Sequence, residues 1–147
     1  MWAPRVEQQA EVALPRERFF ELVATADGLA RWVDGADVEG GTVRVGARVH
    51  LRLRGADVEG AVLACDAPQH VSFTWDYPDA PLAAPTVVAF DAIDHGARSH
   101  VTVRHVGFRS RRQVELHDAL WRYWFARLRS AADELANEPR PGSPDQP

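Results

Sequence analysis

The chain has 147 residues, of which 46% are hydrophobic and 26% charged, and its formal net charge is −4. That length fits one domain able to bury about two-thirds of its unfolded surface, and no apolar run approaches the ~18–20 residues of a membrane span. The mild negative charge argues against a nucleic-acid partner, the lone Cys65 excludes an internal disulfide or a cysteine-rich metal centre, and the absence of lysine excludes a Schiff base or a P-loop.

The first element runs from Arg5 to Ala13. Val6, Gln8, Ala10 and Val12 alternate with Glu7, Gln9 and Glu11, the period of a strand with its charges outward. Pro15 suits the first turn of a helix whose apolar side is Phe19, Phe20, Leu22 and Val23. Gly28 is expected to interrupt it, with 29–32 forming a second short helical turn. From Gly35 to Gly107 the pattern is that of strands. Val45, Ala47, Val49, Leu51 and Leu53 alternate with arginines and His50, and a second strand spans Val58 to Cys65. A third carries Val71, Phe73, Trp75 and Tyr77 on one face. A proline-rich loop reaches Pro85, and Thr86–Ala92 and Ser99–Val106 flank the turn signal Asp94-His95-Gly96. Short links between successive strands imply an antiparallel meander. Ser110 followed by Gln113 has the form of a capping box. From Arg111 to about Ala136 there is no Gly or Pro. Leu116, Leu120, Trp124, Leu128, Ala132 and Leu135 recur at helical spacing, widened by Trp121 and Phe125. About 26 helical residues make a rod of ~39 Å, long enough to cross a whole curved sheet. The stretch 137–147 holds four of the ten prolines and no aliphatic side chain, and is expected to be a loose tail.

Strand, two short helices, strands in series and a long amphipathic helix form the order of the helix-grip fold, and the chain resembles the SRPBCC (START-like, birch-pollen-allergen-like) superfamily. Pro15, Phe19 and Phe20, with Trp32 closing the second helix, are similar to the opening of its family of activator-of-heat-shock-90-ATPase homologues. Phe73-Thr74-Trp75 resembles that family's central strand. Val101–Phe108 resembles its last strand, with His105-Val106-Gly107-Phe108 at the end, and Trp121–Leu128 its final helix. The resemblance implies an α+β fold in which six to seven antiparallel strands curve around the C-terminal helix. It covers about Val6 to Leu135, and with the compositional break at Asn137 one domain is expected over 1–136 and the tail over 137–147. It also implies a bacterial-type pocket protein that holds a small apolar ligand between sheet and helix. Two alternatives accompany it: a co-chaperone-like partner of the heat-shock 90 chaperone, and a cyclase or hydrolase using the same pocket.

The residues offer few catalytic groups. No nucleophile elbow occurs, and the carboxylates fall mainly at outward or loop positions. His95, His100 and His105 have no spacing that suits a metal, so no metal or other cofactor is expected. Cys65, in a mixed apolar strand, reads as inert filler rather than as the alternative, a reactive thiol. His105 shares a strand face with Val101 and Val103 and points inward, either as a satisfied core histidine or as the polar end of a ligand pocket. The expected inward aromatic set is Phe20, Trp32, Phe73, Trp75, Tyr77, Phe90, Trp121 and Trp124, which either fill the space between sheet and helix or wall an apolar pocket. Gln8 is a second polar contact, and the small residues Ala10, Ala47 and Gly60 leave room. Arg109, Arg111 and Arg112 crowd the start of the last helix as a solvated cap or an anion contact. Met1–Arg5 lacks the basic and apolar regions of a signal peptide, so a cytoplasmic protein is expected, monomeric or homodimeric, without a membrane or nucleic-acid partner.

Overall fold

The computed structural model describes residues 5–138. Strand β1 (Arg5–Val12) leads to two short helices, α1 (Arg16–Ala24) and α2 (Ala26–Leu29). Strands β2 (Gly35–Val38), β3 (Arg48–Leu53), β4 (Ala56–Asp66), β5 (His70–Trp75), β6 (Thr86–His95) and β7 (Arg98–Val106) follow, and α3 (Arg111–Asn137) ends the domain. All neighbours pair antiparallel in the order β1-β7-β6-β5-β4-β3-β2. The meander β2 to β7 is thus closed by the first strand lying against the last. Alternation explains the pairing: Val6 and Val12 on β1, and Val101, Val103 and His105 on β7, are all buried on the face that α3 covers.

Pro15 sits one residue before α1 as its N-cap, in extended conformation, rather than inside the first turn. Gly28 does not break the helical region. It lies within α2, and the break falls at Thr25, whose side chain accepts the Gly28 N–H and caps the second helix. A β-carbon at Gly28 would lie 1.7 Å from the Glu21 carbonyl oxygen, so the missing side chain is what lets α2 stack under α1. Trp32, fully buried, ties the pair down by donating its indole N–H to the Leu22 carbonyl at 2.8 Å.

The strands differ from the sequence pattern at their ends. β3 begins at Arg48, and Val45 lies 66% exposed in the turn before it. β2, four residues with no alternation, has no counterpart among the expected strands. Asp94 and His95 continue β6, and the turn is made by Gly96, at φ +67°, with Ala97. Gly60 does not open space in the interior. A β-carbon there would lie 1.8 Å from the Thr74 carbonyl oxygen, so the position lets β4 and β5 approach where the register shifts between Val62 and Ala64.

Ser110 caps α3 by accepting the Gln113 N–H. The buried seam of α3 is His117, Trp121, Trp124, Phe125, Leu128, Ala131, Ala132 and Leu135. Leu116, expected on this seam, is 50% exposed, and Leu120 is only half buried. Steps of four residues overshoot a full turn by about 40°, so the row Leu116-Leu120-Trp124-Leu128 drifts around the helix and only its later members face the sheet. Asn137 ends the helix, and Glu138 pairs with Arg31 at 2.6 Å. The rest of the expected tail lies outside the described residues.

The helix phase is testable by two truncations. Leu128→Ala is expected to cost about 2–5 kcal/mol, and Leu116→Ala less than about 1 kcal/mol. Urea unfolding of the two variants checks this; equal losses would put the helix in the wrong rotation.

Candidate functional site: a cleft over a hydrogen-bonded core

Between the sheet and α3 the aromatic side chains pack ring on ring. Trp75 lies 5.5 Å from both Trp121 and Trp124, and Phe90 lies 6.0 Å from both Trp32 and Trp121. Phe73 joins the group at 6.2 Å from Trp75 and Phe90. Trp32, Phe73, Trp75, Phe90 and Trp121 are each essentially inaccessible to solvent. This part of the interior is therefore packed core.

The polar atoms within it form a chain whose direction chemistry dictates. An indole N–H can only donate and a backbone carbonyl can only accept. Trp121 Nε1–H donates to His105 Nδ1 at 2.9 Å, so the His105 proton sits on Nε2. Thr86 donates its hydroxyl to the Trp75 carbonyl at 3.0 Å, so its oxygen accepts from His105 Nε2–H at 2.6 Å. A second chain starts on the same Trp75. Its Nε1–H donates to the Tyr77 oxygen at 3.1 Å. His117 Nδ1–H donates to the Gln113 carbonyl at 2.8 Å, which leaves His117 Nε2 as an acceptor for the Tyr77 hydroxyl at 2.7 Å. The two imidazoles are thus opposite tautomers, with ring centres 5.1 Å apart and Phe108 against both.

Both histidines are neutral. Burial, reinforced by the neighbouring His117, pushes His105 down to about 2. Burial also lowers His117, opposed by the Gln113 carbonyl, and raises the Tyr77 phenol. With both nitrogens of His105 engaged, its imidazole braces β6, β7 and α3.

One open cleft lies beside this core. A cleft of about 400 Å³ is bounded by the β3–β4 hairpin, the loop 76–85 and the N-terminal half of α3. Leu53, Ala56, Leu82, Leu116, Leu120 and Trp124 give it apolar walls. Tyr77 and His117 bring the second hydrogen-bonded chain to its lining, and Arg54, Asp57, Asp79 and Gln113 complete it. Asp76 holds the loop in place by accepting the backbone N–H groups of Tyr77 and Leu82, each at 2.8 Å. Trp124 is 2% exposed, and its indole nitrogen is buried without a hydrogen-bond partner among the described residues.

Of the ten residues expected to line a pocket, Tyr77 and Trp124 lie at the cleft. Trp32, Phe73, Trp75, Phe90, His105 and Trp121 belong to the closed core. Gln8 is half buried on β1 opposite Val103, and Phe20 is half buried against the core on α1. Arg109, Arg111 and Arg112 are exposed, and Arg111 pairs with Glu115 on its own helix. His117, Leu53 and Leu82 are cleft residues absent from that expectation. His117 carries a readable signal, since it stands one helical turn before the buried Trp121 and two before Trp124.

The sequence profile described as Activator of Hsp90 ATPase homolog 1-like protein matches residues 13–133, and the chain belongs to that family. Among solved structures, a protein of Mesorhizobium loti superposes with a TM-score of 0.76 at 22% identity, covering 88% of this chain and 97% of that one. The Aha1 dimer of Colwellia psychrerythraea gives 0.69 at 18% identity, covering 88% and 96%. An HSP90 activator of Plasmodium falciparum gives 0.68 at 16% identity, covering 84% and 92%. Identities this low carry the helix-grip fold and no role. Among curated proteins no significant match was found.

The neutral histidines set an acid limit on stability. The folded His105 is depressed to about 2 and His117 is also depressed, while the unfolded residues titrate near 6.5. Below about pH 6.5 the unfolded chain binds protons that the native chain refuses, so stability falls with acidity by up to about 1.4 kcal/mol per pH unit for each group. Urea midpoints are expected to hold steady above neutrality and to fall below it. His105→Gln is expected to start lower and fall less steeply; an unchanged acid slope would place the proton uptake elsewhere.

Proposed function

We propose that the protein binds a small, largely apolar molecule in the cleft between the β3–β4 hairpin, the loop 76–85 and α3. The carrying observation is the composition of that cleft. Its leucine and tryptophan walls include the half-exposed Leu116, while Tyr77 and His117 supply a few converging polar atoms. A concave apolar surface with a small number of placed hydrogen-bonding groups is the general form of a small-molecule site. Family membership supports the reading at the level of the fold. The lone, half-buried Cys65 is consistent with a reducing compartment, and the cytoplasm is proposed on that ground.

A second reading, an enzyme of the cyclase or hydrolase kind, is favoured by one contact. The phenol of Tyr77 and the neutral imidazole of His117 are hydrogen-bonded at the cleft, and an acid–base pair needs such proximity. Partnership with the heat-shock 90 chaperone rests on kinship with the family and on the Plasmodium falciparum activator.

Leu120→Arg tests the cleft. It places a charge on a half-buried wall position that packs against the core from the cleft side. Native mass spectrometry of the purified protein is expected to show a co-purified small molecule that the variant lacks, while circular dichroism shows the variant still folded at a somewhat lower melting temperature. A binding-competent variant, or stimulation of the chaperone's ATPase as the sole activity of both proteins, would overturn the cleft reading.

A further inference from the structure

Helix α3 rests on the far half of the sheet, its backbone running beside β1 and α1, and the cleft lies where it passes the β3–β4 hairpin. The hairpin turn is Arg54-Gly55, between the paired Leu53 and Ala56, with both residues in the left-handed region at φ +47° and +81°. Glycine adopts that conformation freely and arginine does not, so Arg54 is held there by its surroundings. Its backbone N–H donates to Asp34 Oδ2 at 2.7 Å, and its guanidinium carbon lies 4.5 Å from the centre of the Tyr123 ring on α3. The other Asp34 oxygen accepts Arg127 Nη1–H, also from α3, at 3.0 Å. Asp34, in the link between α2 and β2, is itself fixed by donating its backbone N–H to the Arg52 carbonyl at 2.8 Å. One carboxylate thus ties the hairpin tip to the helix. Arg127 and the Arg54 N–H hold it below the usual carboxylate range, so it is charged at neutral pH.

We propose that Asp34 is a positioning residue of the cleft: it clasps the β3–β4 hairpin to α3 and so sets the opening through which an apolar ligand enters and leaves. The proposal rests on the cleft being the binding site. Leu53, Arg54, Gly55 and Ala56 form the hairpin wall, so this wall moves with the turn that Asp34 holds. Tyr123 stands three residues after Leu120, which is on the facing wall, and Arg127 four residues further on, along one row of the helix. The clasp therefore sits at one end of the cleft, with its groups engaged by one another rather than offered to a ligand. The opposite wall has its own anchor in Asp76, whose bonds to the Tyr77 and Leu82 N–H groups stay within the loop 76–85. The side chains of Asp34 and Arg127 are 41% and 35% exposed, so water competes for both and the clasp is weak enough to open. Its release widens the cleft without breaking the hydrogen-bonded core, in which neither Asp34 nor Arg127 takes part.

The test follows release of N-phenyl-1-naphthylamine, a neutral fluorescent probe, by stopped flow at neutral pH. The unaltered protein is expected to bind it and Leu120→Arg is not. Asp34→Ala is expected to release the probe roughly 3- to 10-fold faster, the scale of one exposed charge-assisted contact. In the same variant the backbone amides of residues 53–57 are expected to exchange hydrogen faster, and those of β7 at an unchanged rate. Asp34→Asn keeps an oxygen for the Arg54 N–H and is expected to fall between the two. Should Asp34→Ala fail to fold, Arg127→Ala decides, with faster release again expected. Glu138→Gln breaks the ion pair with Arg31, away from the cleft, and is expected to leave release unchanged. Release at the unaltered rate from both Asp34→Ala and Arg127→Ala, with Leu120→Arg unable to bind, leaves the cleft in place and overturns the clasp. Equal acceleration by Glu138→Gln overturns it too, since any lost ion pair would then do the same. No binding by the unaltered protein, or undiminished binding by Leu120→Arg, overturns the cleft reading and the clasp with it.

Discussion

The interior is organised by one constraint: every proton in its polar chain has a single permitted place. Two indole N–H groups can only donate, two backbone carbonyls can only accept, and the groups between them must pass the polarity along. Trp75 belongs to both chains, as the carbonyl that ends one and the indole that begins the other. This chain links β5, β6, β7, α3 and the loop after β5. It also explains how so many large rings share one core with two histidines. An imidazole buried with both nitrogens satisfied costs little, whereas one left unpaired costs about 1–3 kcal/mol.

The same constraint separates bracing from binding. His105 lies between Trp121 and Thr86 and has no atom to spare. His117 and Tyr77 end the second chain at the lining of the cleft, where the packed core gives way to leucine walls. Family and fold do not make that distinction, because a shared fold does not fix the site built on it. In this chain the aromatic residues fill the space under α3, and the cleft lined by Tyr77 and His117 opens beside the β3–β4 hairpin.

Much of the architecture was legible in the sequence because alternation and helical spacing are local. The parity of β7 places His105 inside, and the Ser110 cap sets the start of α3. β2 was not legible, since Gly35-Ala36-Asp37-Val38 carries no alternation and exists by pairing with β3. The rotation of α3 at its first turns was misread, because a row of leucines four apart drifts off the seam before Trp124. The cleft was the least legible feature. Tyr77 lies beyond the end of β5, and its meeting with His117 depends on the path of the loop, which Asp76 fixes through two backbone N–H groups. Small residues were a poor guide to space: the room that Gly60 leaves is taken by the Thr74 carbonyl of the adjoining strand.

The protonation of the two imidazoles is the most direct measure of this account. Long-range nitrogen–proton correlation spectra of the uniformly labelled protein distinguish the tautomers by the shifts of their ring nitrogens. At neutral pH His105 is expected as the Nε2–H form and His117 as the Nδ1–H form, two opposite tautomers in rings 5.1 Å apart, neither titrating near the ordinary histidine value of about 6.5. The same tautomer at both positions, or a charged His105 at neutral pH, would contradict the account.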